Sequence, residues 1–247
     1  MEIQEIKRGF NSYTLKIIAI ICMVVDHVGA VFVPDGSALG TLMHFIGRFT
    51  IPIMAFFIAE GYKKSRNVAD YILRLLILAV ASVIPFTLLF GPIYGSLQNT
   101  IFSLLLGLCA LYYAGKTENR FFKAIIVFLC MLISIVILAD GAVSVVLLIY
   151  LMGTIKGRKK AVWLSITIMN AADLFLTFAF PLAYGQMPAF GITDVIVMLG
   201  TFIPAFFLSQ YNGERGKSAK YLFYFFYPLH LLIIWAIRFA LLNLNLI

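Results

Sequence analysis

Long apolar runs separated by short polar breaks repeat along the whole chain. The runs approach the roughly 20 residues that a helix needs to cross a hydrocarbon core about 30 Å thick. Read at that length, nine candidate helices fall at about 14–33, 42–61, 71–91, 99–114, 121–138, 142–155, 161–182, 192–209 and 221–242. The fourth and sixth are short, so eight to ten spans bracket the central value of nine. The pattern predicts an all-α, polytopic integral membrane helical bundle, a single domain over 1–247 with no separate soluble part. Asp26 and His27 interrupt the first run and further runs follow it, so it reads as a retained span rather than a signal peptide.

Composition agrees with this reading. The 247 residues are 62% hydrophobic and only 12% charged, against about 45–50% and about 25% in soluble domains. The net charge of +8 does not point to nucleic acid, because the basic residues sit in short clusters between apolar runs. With the N-terminus inside, the inner segments are EIQEIKRGF, YKKSRN, GKTENRFFK, IKGRKK and YNGERGKSAK. The outer loops are PDGSALG, GPIYGSLQ, ADG and YGQMPAFGITD. Every loop Lys and Arg then lies inside, which predicts a cytoplasmic N-terminus and, for nine spans, an extracytoplasmic C-terminus. Cys22, Cys109 and Cys130 lie inside apolar runs without paired spacing, so no metal is expected.

Ionisable residues at membrane depth are expensive and mark function by default. His27 lies about 20 Å from the inner edge of the core, counted at about 1.5 Å per residue, and His230 lies about 13 Å from it. Arg48, entering from outside on the second span, reaches the depth of Asp26 and is expected to pair with it, leaving His27 with a defined tautomer. At the inner face, AEGYKKSRNVADYILRL offers Lys63, Lys64, Arg66 and Arg74 around a glycine turn, with Glu60 at a depth to pair with Arg74. Such a cluster can hold an anionic ligand through arginine contacts, and it is also what any positive-inside loop looks like. His44, at the outer end of the second span, needs no special role. Asp173, near the midplane, has no basic neighbour in sequence. No phosphate-binding glycine loop, HExxH, CxxC or nucleophile-elbow serine is present.

Four blocks, LKIIAIICMVVDHVGAVF, IGRFTIPIMAFFIAEGYKKSRNVADYILRL, QNTIFSLLLGL and YFFYPLHLLII, run in order from residue 15 to about 234. Together they resemble the TraX family; the last block is also shared with membrane acyltransferases that modify surface glycans. Proteins of that family are integral inner-membrane proteins linked to N-terminal acetylation of conjugative pilin. The resemblance implies acetyl transfer from cytosolic acetyl-CoA to an acceptor at the outer face, a peptide amine or a surface glycan. Carried across by position, it singles out Asp26 and His27, then Arg48, then Glu60, Gly61 and Tyr62. It continues with Arg66, Tyr71 and Arg74, and closes on Tyr227, Pro228 and His230.

On that implication, His27 would take the acceptor's proton, with Asp26 holding its tautomer. Oxyanion donors would come from His230, Tyr227 or Asn99. The nucleotide end of acetyl-CoA would rest on Lys63, Arg66, Tyr71 and Arg74. Direct transfer and an acetyl-imidazole intermediate both fit these residues. Two other readings use the same sequence: a transporter or proton-coupled carrier with the Asp and His residues as a relay, and a non-catalytic membrane assembly protein. The absence of inverted repeats counts against the carrier.

Overall fold

The computed structural model describes residues 9–94, 98–217 and 220–245, and every regular element among them is helical. Lys7 and Arg8, and loop residues 95–97 and 218–219, which entered the charge argument, lie outside the described residues. The helices are α1 (Ser12–Phe32), α2 (Ala38–Gly47), α3 (Thr50–Lys64), α4 (Val68–Ala81), α5 (Val83–Tyr94) and α6 (Thr100–Ala114). They continue with α7 (Arg120–Val136), α8 (Ala142–Thr154), α9 (Arg158–Ala183), α10 (Ile192–Leu199), α11 (Ile203–Ser209) and α12 (Lys220–Asn243). A short 3-10 turn, Gly200–Phe202, joins α10 to α11.

The polar residues of the loops set where helices begin. A first helical turn leaves backbone N–H groups without intrahelical partners, and Asn and Ser side chains accept from them. Asn11 accepts from the N–H of Thr14 at 2.9 Å, Ser37 from Gly40 at 3.0 Å, and Asn67 from Asp70 at 3.2 Å. Asn119 accepts from Phe121 at 2.8 Å. Prolines set two of the breaks. Pro52 has no N–H for the carbonyl of Arg48, and the chain steps from α2 to α3 across Arg48 and Phe49. Pro85 likewise leaves the carbonyl of Ala81, and α4 and α5 meet at Ser82 with a bend of 41°.

Each of the nine apolar runs returns as one helix or a consecutive set. By length and hydropathy, however, five stretches among the described residues can cross a bilayer: Ser12–Phe32, Ala38–Lys64, Arg158–Ala183, Ile192–Ser209 and Tyr224–Asn243. The bent pair α4 and α5 makes six if counted as one span. The expectation of nine thus exceeds what helix length supports. The physical reason is rise: α6 and α8 have 15 and 13 residues, about 20 Å of helix against a core of about 30 Å.

Packing is tightest among α1, α3, α6 and α8, whose Leu15, Ala19, Ile53, Leu108, Leu148 and Ile149 are fully buried. Gly107 on α6 faces Ile149 on α8, and a methyl group there would lie 2.9 Å from the Cβ of Ile149. The outward faces are apolar instead of polar, with Ile84, Val136, Phe175 and Phe225 largely exposed. A solvated protein rarely shows so much apolar surface, whereas a lipid-facing one does.

The polar segments sort to two ends. At one, the start of α1 bonds to the loop after α11: the Phe10 N–H donates to Gln210 O and the Ser12 N–H to Glu214 O. There the Lys64 Nζ reaches Tyr211 Oη at 3.3 Å, and the Arg158 guanidinium lies over the Tyr211 ring. At the other end the Gln98 N–H donates to Leu138 O, and the Ser103 hydroxyl donates to Asp140 O at 2.7 Å. Among the described residues, parts of four segments assigned inside by charge thus meet at one end, and Gln98 and Asp140 of two outer loops meet at the other.

The close approach of α6 and α8 is open to test. Gly107→Val should destabilise the bundle by about 1–3 kcal/mol through overpacking, seen as a lower thermal midpoint in detergent. An unchanged midpoint would mean that the two helices separate without cost.

Candidate functional site

A cavity of 820 Å³ has walls drawn from both ends of the bundle. Lys16, Ile20, Met23, His27 and Ala30 line it from α1. Their spacing of four, three, four and three residues places them on one helix face. Lys16, Arg215 and Lys217 lie at one end of this lining, and Asp35, Asp140 and Asp194 at the other, with Asp26, His44 and Arg48.

The middle of the site is a pair of histidines from the first and last helices. His27 Nδ1 and His230 Nε2 are 2.9 Å apart, with ring planes 13° from parallel. His230 sits one turn past Phe226 on α12, and its Nδ1 is 2.9 Å from the Phe226 carbonyl oxygen. A carbonyl only accepts, so His230 Nδ1 carries a proton and donates it. With both rings neutral, His230 Nε2 is then an acceptor, His27 Nδ1–H donates to it, and the His27 Nε2 lone pair is left bare. Among the described residues no hydrogen bond reaches that nitrogen. Phe226 stacks on His230 at 5.1 Å, and Phe90 of α5 meets His27 edge-on at 5.0 Å. His230 is 5% exposed, so both rings are held by packing as well as by hydrogen bonds.

Asp26 does not orient His27. Successive residues on a helix point about 100° apart, and residues one apart do not face each other. Asp26 instead accepts from His44 Nδ1 at 2.8 Å. The expected pairing of Asp26 with Arg48 is replaced by this one, and His44, set aside on sequence, belongs to the site. Gly47 makes the arrangement possible: a Cβ at that position would collide with the Asp26 carboxylate. Arg48 is exposed and caps α2, on the outer part of the cavity wall. Asp173 is bonded by the Ser144 hydroxyl of α8, a partner that no sequence pattern announced.

The remaining expected residues divide. Tyr227 lines the cavity and packs beside His230 at 5.6 Å. Asn99 is fully buried, donates to Ala79 O at 2.9 Å and accepts from the Ile101 N–H. It caps α6 and ties it to α4, away from the cavity lining. Both His230 nitrogens are engaged and Asn99 lies away from the lining, so of the three oxyanion candidates Tyr227 is the one in the cavity wall, where its hydroxyl lies against Thr100. Near the basic turn after α3, Tyr71 lines the cavity and packs against Gly61, where a Cβ would lie 2.8 Å from its ring. Lys63 donates to Met152 O at 3.3 Å, Arg74 stacks over the Tyr71 ring, and Arg66 is exposed. None of these three is part of the lining. Glu60 pairs with Lys64 at 3.1 Å, one turn on, rather than with Arg74. Among the described residues no cluster suited to a metal ion occurs.

A family model described as TraX protein matches residues 11–238. A probable fimbrial assembly protein FimC, serogroup H1, from Dichelobacter nodosus is 30% identical over 237 residues, covering 91% of this chain and 94% of that protein. An uncharacterized protein RP591 from Rickettsia prowazekii (strain Madrid E) is 32% identical over 109 residues, 44% of this chain and 39% of that one. No solved structure matches the chain.

A double-mutant cycle separates the two pairings of Asp26. His44→Ala with Asp26→Ala should show coupling of about 0.5–3 kcal/mol in detergent unfolding, as contacting groups do, while Arg48→Ala with Asp26→Ala should show little. The reverse pattern would return Asp26 to Arg48.

Proposed function

The chain belongs to the TraX family of membrane proteins, and from that footing we propose that it transfers an acetyl group from cytosolic acetyl-CoA to an acceptor at the extracytoplasmic face. The observation that carries the proposal is the bare Nε2 of His27, facing a cavity that reaches both ends of the bundle. In this reading the acceptor's nitrogen or oxygen attacks the thioester carbonyl carbon, and its proton passes to His27 Nε2. The resulting imidazolium keeps its Nδ1–H on His230 Nε2, which holds the ring while it is charged. Tyr227 donates to the oxygen that becomes negative. The C–S bond then breaks, and the leaving thiolate takes the proton from His27, giving acetylated acceptor and free CoA. His230 is accordingly a positioning residue and His27 the base. Asp26, with His44, shapes the wall toward the outer mouth.

Topology follows the same proposal. Taking α6, α7 and α8 as membrane-embedded crossings alongside the longer spans gives nine passes, with the N-terminus in the cytoplasm and the C-terminus outside. The relative from Dichelobacter nodosus is named for fimbrial assembly, which supports a surface-fibre subunit as the acceptor.

Labelled acetyl-CoA supplied to a crude envelope fraction tests the proposal, with the labelled product identified. His27→Ala should abolish transfer while the protein inserts and accumulates normally. His230→Ala should lower the rate by about 10²–10⁴-fold, the usual range for a lost acid–base contribution. Near-normal transfer by His27→Ala would remove His27 from the chemistry.

A further inference from the structure

We infer that the inner mouth of the cavity, at Lys16, Arg215 and Lys217, anchors the phosphate-bearing end of a coenzyme A thioester, and that helix α1 sets its distance to His27. The inference rests on the acetyl-transfer reading and gives the donor an address that the basic turn after α3 does not supply.

Three observations converge on it. Lys16, Arg215 and Lys217 all line the cavity, whereas Lys63, Arg66 and Arg74 do not. The mouth is also built rather than incidental. The Ser12 hydroxyl donates to Arg215 O at 2.8 Å, the Ser12 N–H to Glu214 O at 2.9 Å, and the Tyr13 N–H to Arg215 O at 3.1 Å. These bonds fasten the 214–215 backbone to the first turn of α1 and hold its cations beside Lys16. Phe57 supports Lys16 from below, with the Nζ 4.9 Å from the ring centroid. Glu214, the neighbouring carboxylate, is exposed, turned toward the Asn212 side chain at 3.4 Å and absent from the lining.

The third observation is a length. Lys16 and His27 stand on the same face of α1, eleven residues apart, which is about 16 Å of helical rise. An extended pantetheine arm spans about 15–20 Å at ordinary covalent dimensions. A thioester whose phosphates rest on the inner cations therefore brings its carbonyl to His27 without slack. A polyanion at this mouth would be held through charge-assisted hydrogen bonds. A donor that lacks the nucleotide would keep the reacting group and lose the anchor.

The test uses the full chain purified in detergent and measures binding of CoA and of pantetheine. Arg215 and Lys217 are exposed, so Arg215→Ala with Lys217→Ala should leave the fold intact; Lys16→Gln is the buried-side counterpart. Each should weaken CoA at least tenfold and leave pantetheine unchanged, and Arg66→Ala should alter neither. In turnover, KM should rise for acetyl-CoA and stay level for acetyl-pantetheine. A double variant that binds CoA as tightly as wild type would overturn the anchoring site while sparing the acetyl-transfer reading. Wild-type protein that binds no CoA would overturn both.

Discussion

The N–H···N hydrogen bond from His27 Nδ1 to His230 Nε2 joins the first helix of the bundle to the last. It can form only if α1 and α12 bring two rings together near the middle of the membrane, and only if one ring offers a lone pair there. The Phe226 carbonyl decides which ring does. In the proposed reaction the base is thus defined by its neighbours. A His–Asp dyad at the same depth would bury a carboxylate, with a large penalty in the hydrocarbon region. Here the carboxylate is displaced one residue along α1 and onto the outer part of the wall, where His44 donates to it.

The rest of the charge follows the same constraint. Lys16, Arg215 and Lys217 stand at one mouth and Asp35, Asp140 and Asp194 at the other, with Arg48 beside them, while Ile20, Met23, Leu75 and Phe86 also line the cavity. Three polar groups held deeper are satisfied by neighbours: Asp173 by Ser144, Asn170 by Thr201, Asn99 by Ala79. Glycines enter where two elements must meet closely, at Gly47 beneath Asp26 and at Gly107 between α6 and α8. A small set of contacts thus keeps a path between the two faces without leaving bare charge in its centre.

Much of this was legible in the chain itself. Apolar runs located the helices, because a bilayer demands continuous hydrophobicity, and the loop charges sorted the polar segments into the two groups that now lie at opposite ends. His27 and His230 were singled out because histidine at membrane depth is costly, and Tyr227 by the family resemblance; the three meet at one place. What the sequence concealed were partners. Adjacency suggested Asp26 for His27, but neighbours in a helix face different ways, so the orienting group came from a residue 203 positions distant. His44 seemed ordinary because its link to Asp26 depends on how α2 folds back against α1. The dense cations Lys63, Arg66 and Arg74 stand outside the cavity lining, whereas Lys16, eleven residues before His27 on one helical face, is part of it. Span number is a different matter: apolar content alone does not reveal that α6 and α8 are shorter than the usual membrane-crossing length.

The histidine pair is the feature on which the rest turns, and nitrogen-15 NMR reads it directly. The chain has only three histidines, so histidine-labelled protein in detergent gives resolvable ring signals. The account predicts a scalar coupling across the hydrogen bond between His27 Nδ1 and His230 Nε2, with His230 as the Nδ1–H tautomer and His27 Nε2 unprotonated at neutral pH. Loss of that coupling on His230→Ala would complete the assignment. A spectrum with no coupling between the two rings, or with His230 in the Nε2–H form, would contradict it.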